Sequence, residues 1–113
     1  MHEVSIMEGT LQLAEEHARK AQGTSILSLR IKVGLLSGVV PEALEFAFEV
    51  LRKGTMAENA RLEIVRAPAL FECSGCKRQW QLDAVEFVCK QCGGPLVLRG
   101  GGNELELDQL EVN

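Results

Sequence analysis

The chain has no tyrosine, one tryptophan and four phenylalanines in 113 residues, too few aromatic faces for a base-stacking platform. Basic residues are also in deficit. Twelve Lys and Arg against sixteen Asp and Glu leave a net charge of −4, the wrong sign for a general nucleic-acid binder. No apolar run reaches the ~18–20 residues a membrane-spanning helix needs. The first residues, Met1-His2-Glu3-Val4, lack the basic stretch and apolar core of a secretion signal, so a cytoplasmic protein is expected. No phosphate loop, nucleophile–base pair or paired-carboxylate motif stands out, which points away from an enzyme.

What the chain does have is a 46% hydrophobic content, enough to build one core, and four cysteines gathered in a single window. Val4, Met7, Leu11, Ala14, Ala18 and Ala21 recur at helical spacing and predict a helix from about 4 to 22. Ser5 and Glu8 stand at capping-box spacing, and Gly23 suits the stop. Leu27, Leu29, Ile31 and Val33 alternate with polar residues as a half-buried strand. Pro41 opens a second helix whose apolar stripe is Leu44, Ala47, Phe48 and Leu51, with Gly54 at its end. Leu62 and Ile64 mark a second strand. Leu105, Leu107, Leu110 and Val112 mark a last one, with a change of phase at Asp108-Gln109 that suggests a bulge.

Between these last two strands lies an insert from about 70 to 101, bounded by Ala67-Pro68-Ala69 and by Gly100-Gly101-Gly102-Asn103. The expected architecture is α+β: two helices packed on a three-stranded sheet, with an inserted small four-cysteine zinc-binding, zinc-ribbon-like domain.

The insert reads C-x2-C-x12-C-x2-C through Cys73, Cys76, Cys89 and Cys92. Each CxxC can fold as a tight turn that aims two sulfurs at one point. Two turns supply the four thiolates of a tetrahedral zinc site at ~2.3 Å. A segment below ~40 residues also needs such a staple to fold. Iron shares the four-sulfur geometry and stays open, and a redox dithiol is a weaker reading. Four cysteines fill every coordination position, so the zinc is structural rather than catalytic. From Phe71 to Gly100 there are four basic residues (Lys77, Arg78, Lys90, Arg99) and three acidic ones (Glu72, Asp83, Glu86). Four thiolates on one zinc ion contribute −2, which brings the module to about −1. The alternative reading, a zinc-ribbon nucleic-acid-associated regulatory protein, is a poor match for phosphate on that ground.

His2 is the second point of interest. The Met1 amine, the His2 amide nitrogen and the His2 imidazole can close adjacent five- and six-membered chelate rings, a nitrogen set that suits nickel(II) or copper(II). His17, on the first helix and away from other ligand types, reads as a surface or core-edge residue.

In this order along the chain, these features resemble the HypA/HybF family of nickel chaperones. The likeness runs through Met1-His2-Glu3, Leu36-Ser37-Gly38-Val39-Val40-Pro41-Glu42-Ala43-Leu44, Phe46-Ala47-Phe48-Glu49, Lys53-Gly54-Thr55, Ala60-Arg61-Leu62-Glu63-Ile64, the two CxxC pairs and the acidic final strand. Leu35 departs from the acidic residue often found at that place.

The resemblance implies a nickel-binding α/β domain over 1–69 and 102–113 and a zinc-binding domain over 70–101. It implies a metallochaperone that binds Ni2+ through His2, with the main chain of Met1 and of Glu3, and carries structural Zn2+ at Cys73, Cys76, Cys89 and Cys92. Its implied partners are a HypB-like GTPase and the precursor of the [NiFe]-hydrogenase large subunit, with urease maturation proteins in some organisms.

Overall fold

The computed structural model describes residues 2–113. Its elements run α1 (Glu3–Lys20), β1 (Ile26–Gly34), α2 (Pro41–Leu51), β2 (Arg61–Ala67), β3 (Ala69–Cys73), β4 (Gln79–Leu82), β5 (Leu96–Gly101) and β6 (Leu105–Val112). They form two sheets, ordered β2-β1-β6 and β4-β3-β5. The chain divides into two compact units: Met1–Lys32, Val39–Val65 and Glu106–Asn113 in the first, Val33–Gly38 and Arg66–Leu105 in the second.

The first unit has the helix-and-sheet form expected from the sequence. Met7, Leu11, Ala14 and Ala18 bury one face of α1, and Leu44, Ala47 and Phe48 bury one face of α2. Leu29 and Ile31 of β1 are almost fully buried with them. Each large aliphatic side chain taken out of water in this way stabilises the unit by roughly 1.5–3 kcal/mol. The alternate face of the sheet is charged. Arg30 pairs with Glu63 at 3.0 Å and Asp108 at 3.7 Å, and Lys32 pairs with Asp108 at 3.6 Å. Exposed pairs of this kind contribute ~0–1 kcal/mol each, so they favour the register more than the stability.

Several local expectations are corrected. The Ser5–Glu8 capping box does not form. Helix α1 begins at Glu3, the N-cap is His2 in extended conformation, and no side chain caps it. The apolar stripe stops short of its predicted ends, since Val4 and Ala21 are exposed. Gln22, not Gly23, takes the left-handed position after α1, at φ 61. The Gly23 amide then reaches back to the Ala18 carbonyl at 2.8 Å, closing the helix as a Schellman-type stop. Gly23 serves close approach instead: a Cβ there would sit 3.0 Å from Val112 Cβ and 3.2 Å from the Asn113 carbonyl.

Leu27 is 52% exposed, while Ile26 takes its place in the core at 2%. The Ile26 amide bonds to the Met56 carbonyl at 2.9 Å, and that bond sets how the strand enters the sheet. The pleat changes phase before Leu29. The last strand keeps only part of its expected apolar face, since Leu105 is 40% exposed. Half-buried Leu107 and Leu110 flank exposed Asp108 and Gln109, so the inward parity switches there. Helix α2 ends at Leu51, and Gly54 lies beyond it in the following turn at φ 77.

The second unit is wider than the insert over 70–101. Gly34 and Leu36 donate their amides to the carbonyls of Glu104 and Gly102, both at 2.6 Å, and Leu35 donates to Ala67 at 3.0 Å. These bonds join Val33–Gly38 to Arg66–Leu105. Strand β3 is the centre of its sheet, antiparallel to both neighbours, with Phe71 opposite Trp80 on β4 and Leu98 on β5. Ala69, Phe71 and Cys73 form its buried face. Among the described residues, no helix is long and apolar enough to cross a membrane.

Candidate functional site

Strand β3 ends on Cys73, and the chain turns back at once. The Cys73 amide donates to the Arg78 carbonyl at 2.9 Å, and the Lys77 amide donates to the Cys73 carbonyl at 2.9 Å. The second CxxC repeats this construction. Cys89 donates to the Gly94 carbonyl and Gly93 donates to the Cys89 carbonyl, both at 2.8 Å. Lys77 and Gly93 are therefore equivalent residues, and both are left-handed, at φ 67 and 79. Two copies of one knuckle face each other.

The result is a cluster of four sulfurs, all within 4.8 Å of one another. The Cys73 and Cys92 sulfurs are 3.4 Å apart and those of Cys76 and Cys89 are 3.8 Å apart. No disulfide joins them. Four sulfurs held ~2.3 Å from one tetrahedral ion would be ~3.8 Å apart, so the spacing fits zinc. Among the described residues, no other group of three or more His, Cys, Asp or Glu converges in this way. Cys73 and Cys89 are buried; Cys76 and Cys92 are exposed. A Cβ on Gly94 would lie 3.0 Å from the Cys73 sulfur and 3.3 Å from that of Cys92, so the knuckle backbone grips the sulfurs closely.

The electrostatics call for a cation. The Cys76 amide, 3.4 Å away, heads the influences that lower the Cys73 thiol below its ordinary value. Burial acts to raise Cys89, but the amides of Cys92 and Gln91 and the neighbouring sulfurs outweigh it and bring this thiol down to about 6. At Cys92 the Gly94 amide lowers the value, yet the sulfurs of Cys73 and Cys76 prevail and push it up to about 11. Charge on some sulfurs thus opposes charge on the last. A bound divalent ion removes that opposition and lets all four serve as thiolates.

At the other candidate position, His2 is exposed and extended, and its carbonyl accepts the first α1 bond from the Ile6 amide at 3.0 Å. Met1, whose amine belongs to the chelate expected from the sequence, lies outside the described residues. The Glu3 carboxylate accepts a bond from the Val40 amide at 3.1 Å. That bond, followed by one from its own amide, holds its carboxyl below the usual range.

A family described as "Hydrogenase/urease nickel incorporation, metallochaperone, hypA" matches residues 1–112. The chain belongs to the HypA family. The hydrogenase maturation factor HypA of Geobacter sulfurreducens is 41% identical over 112 residues, 99% of each chain. That of Albidiferax ferrireducens is 39% identical over 112 residues, again 99% of each. The solution structure of the nickel metallochaperone HypA from Helicobacter pylori superposes with a TM-score of 0.68 at 30% identity, covering 99% of this chain and 97% of that one.

In this HypA-family chain, His17 joins neither the cysteine cluster nor His2. It is exposed in the last turn of α1 and lines a groove with Leu13, Leu107 and Asp108. About fifteen residues of helix, ~22 Å, separate it from His2. Two structural anchors carried no sequence signal. One is the left-handed Lys77, a residue type with no preference for that conformation. The other is Arg52, which donates to the carbonyls of Glu58 (2.9 Å) and Ala60, pairs with Glu49 and lies 4.4 Å over the Phe48 ring.

Proposed function

We infer that this chain binds nickel(II) at its N-terminus and delivers it to the precursor of a [NiFe]-hydrogenase large subunit, while Cys73, Cys76, Cys89 and Cys92 hold a structural zinc ion. The observation that carries this reading is the family match along residues 1–112, which takes in both the His2 start and the four-cysteine cluster. A carried ion must enter and leave. A closed four-sulfur centre suits a resident ion and has no open position for a transient one. His2 offers the opposite setting: an exposed imidazole beside the chain start, able to act with the Met1 amine and its own amide.

Nickel accepts such a nitrogen set, and Glu3 supplies main-chain atoms next to it. The chain is a carrier rather than an enzyme and works in the cytoplasm. Its partners are a HypB-like GTPase and the hydrogenase large-subunit precursor, with urease maturation as a further destination. The zinc-ribbon regulator reading is not favoured.

The test is a nickel titration of the wild type, His2→Ala and a protein with an added N-terminal residue, with zinc content measured in each. Loss of specific nickel binding in both variants at unchanged zinc supports the reading. Undiminished nickel binding by the extended protein would remove the amine from the ligand set. Undiminished binding by His2→Ala would overturn the site.

A further inference from the structure

Helix α2 carries more apolar surface than its core face uses. Leu44, Ala47 and Phe48 point inward, yet Phe46 is 70% exposed and Val50 57% exposed. With half-buried Ala43 they fall at spacings of three and four, so they form a second apolar stripe along one side of the helix. Val40, just before the helix, is 51% exposed. Its amide is tied to the Glu3 carboxylate, which brings it to the first turn of α1, where Val4 is 53% exposed. Single exposed apolar residues are ordinary on a protein surface. A row of them with an aromatic at its centre resembles the middle of an interface.

The charge beside this row is of one sign. Residues 41–51 contain Glu42, Glu45 and Glu49 and no Lys or Arg. On a helical wheel the three carboxylates share the side adjoining Phe46. Glu49 is already paired with Arg52, at 2.9 Å, which leaves Glu42 and Glu45 as the acidic rim. On α1, Glu8 is exposed one turn beyond Val4.

We propose that the Phe46–Val50 stripe of α2 is a docking face for a partner protein's amphipathic helix, one whose apolar ridge is bordered by Lys or Arg. The ridge covers Phe46 and Val50, and the basic side chains meet Glu42 and Glu45. The face lies beside the start of α1, so a partner seated there is next to His2. The inference does not depend on the nickel reading, because docking is measured without nickel.

The experiment titrates the zinc-loaded full chain, followed by backbone amide shifts, with a short helical peptide of leucine and lysine and with its leucine–glutamate counterpart. The expected result is shifts confined to residues around Val4, Val40, Phe46 and Val50 and a clear preference for the basic peptide. Phe46→Ser should weaken binding about tenfold, the loss usual for truncating an aromatic anchor. Glu42→Gln combined with Glu45→Gln should abolish the preference for lysine. All these residues are exposed, so circular dichroism and zinc content should match the wild type. Shifts elsewhere, equal affinity for both peptides, no binding, or no effect of Phe46→Ser would overturn the proposal. So would sedimentation showing a dimer of this chain that Phe46→Ser dissociates, since a second copy would then be the occupant.

Discussion

Replacing the glycines of the second knuckle should separate the grip on the metal from ordinary backbone strain. At Gly94 an added Cβ meets the Cys73 sulfur at 3.0 Å and the Cys92 sulfur at 3.3 Å. Neither sulfur can yield, because each must stay at bonding distance from the same ion. Overpacking of this kind costs about 1–3 kcal/mol, so Gly94→Ala should lower zinc affinity ~5- to 150-fold. Gly75 is the control, since its Cβ would stand 3.6 and 3.7 Å from the sulfurs of Cys92 and Cys73, at ordinary contact distance. Gly75→Ala should therefore leave affinity nearly unchanged. Gly93 has open space but φ 79, so Gly93→Ala should cost only the left-handed strain of ~1 kcal/mol, about fivefold. Lys77 already tolerates that conformation at the matching place in the first knuckle. Affinities would be read by competition with a chromogenic chelator at fixed pH. If Gly94→Ala and Gly75→Ala bind zinc alike, the close packing of backbone on sulfur is not what shapes the centre.

Other outcomes follow from the same contacts. Arg52→Ala should destabilise the first unit by about 1–3 kcal/mol, measured by urea unfolding, because the carbonyls of Glu58 and Ala60 lose their donor and the Phe48 ring loses its cover. The Glu3 carboxyl is held below its ordinary value by the Val40 amide, so its charged form favours the fold. Its contribution is complete above the ordinary glutamate value and is lost as pH falls through the lowered one. The Val40 amide shift should titrate in that lower range, and in Glu3→Gln that transition should disappear. Nickel affinity should fall from about pH 8 to 6, since protons compete with the ion for its nitrogen ligands. Isothermal titration at several pH values tests this, and a flat profile would point to a carboxylate site.

The parts of the fold that depend on periodicity could be read from the sequence. Met7, Leu11, Ala14 and Ala18 of α1 and Leu44, Ala47 and Phe48 of α2 are buried where their spacing puts them. The four cysteines converge because two CxxC turns with matching hydrogen bonds aim them at one point. What could not be read depends on partners distant in sequence. Leu27 continues the apolar alternation, but the Ile26–Met56 bond sets the start of β1 and turns Leu27 outward. Ser5 and Glu8 have the spacing of a cap, yet α1 starts at Glu3, whose carboxylate accepts the amide of Val40, just before the next helix. Gly23 suits the left-handed position of a helix stop, yet Gln22 takes that position, and Gly23 closes the stop through its amide and admits Val112 and Asn113. The wider second unit arises from amides of Gly34, Leu35 and Leu36 that bond to residues far along the chain. The family resemblance read from motif order covers the same span as the match over residues 1–112.

The central claim is that two metals occupy two chemically different places, a closed sulfur centre and an open N-terminal chelate. X-ray absorption on the protein loaded with one zinc and one nickel tests it most directly, since the two edges are read separately in one sample. The account predicts four sulfurs at ~2.3 Å around zinc and only nitrogen or oxygen, with imidazole scattering, around nickel. Sulfur in the nickel shell, or imidazole in the zinc shell, would contradict it.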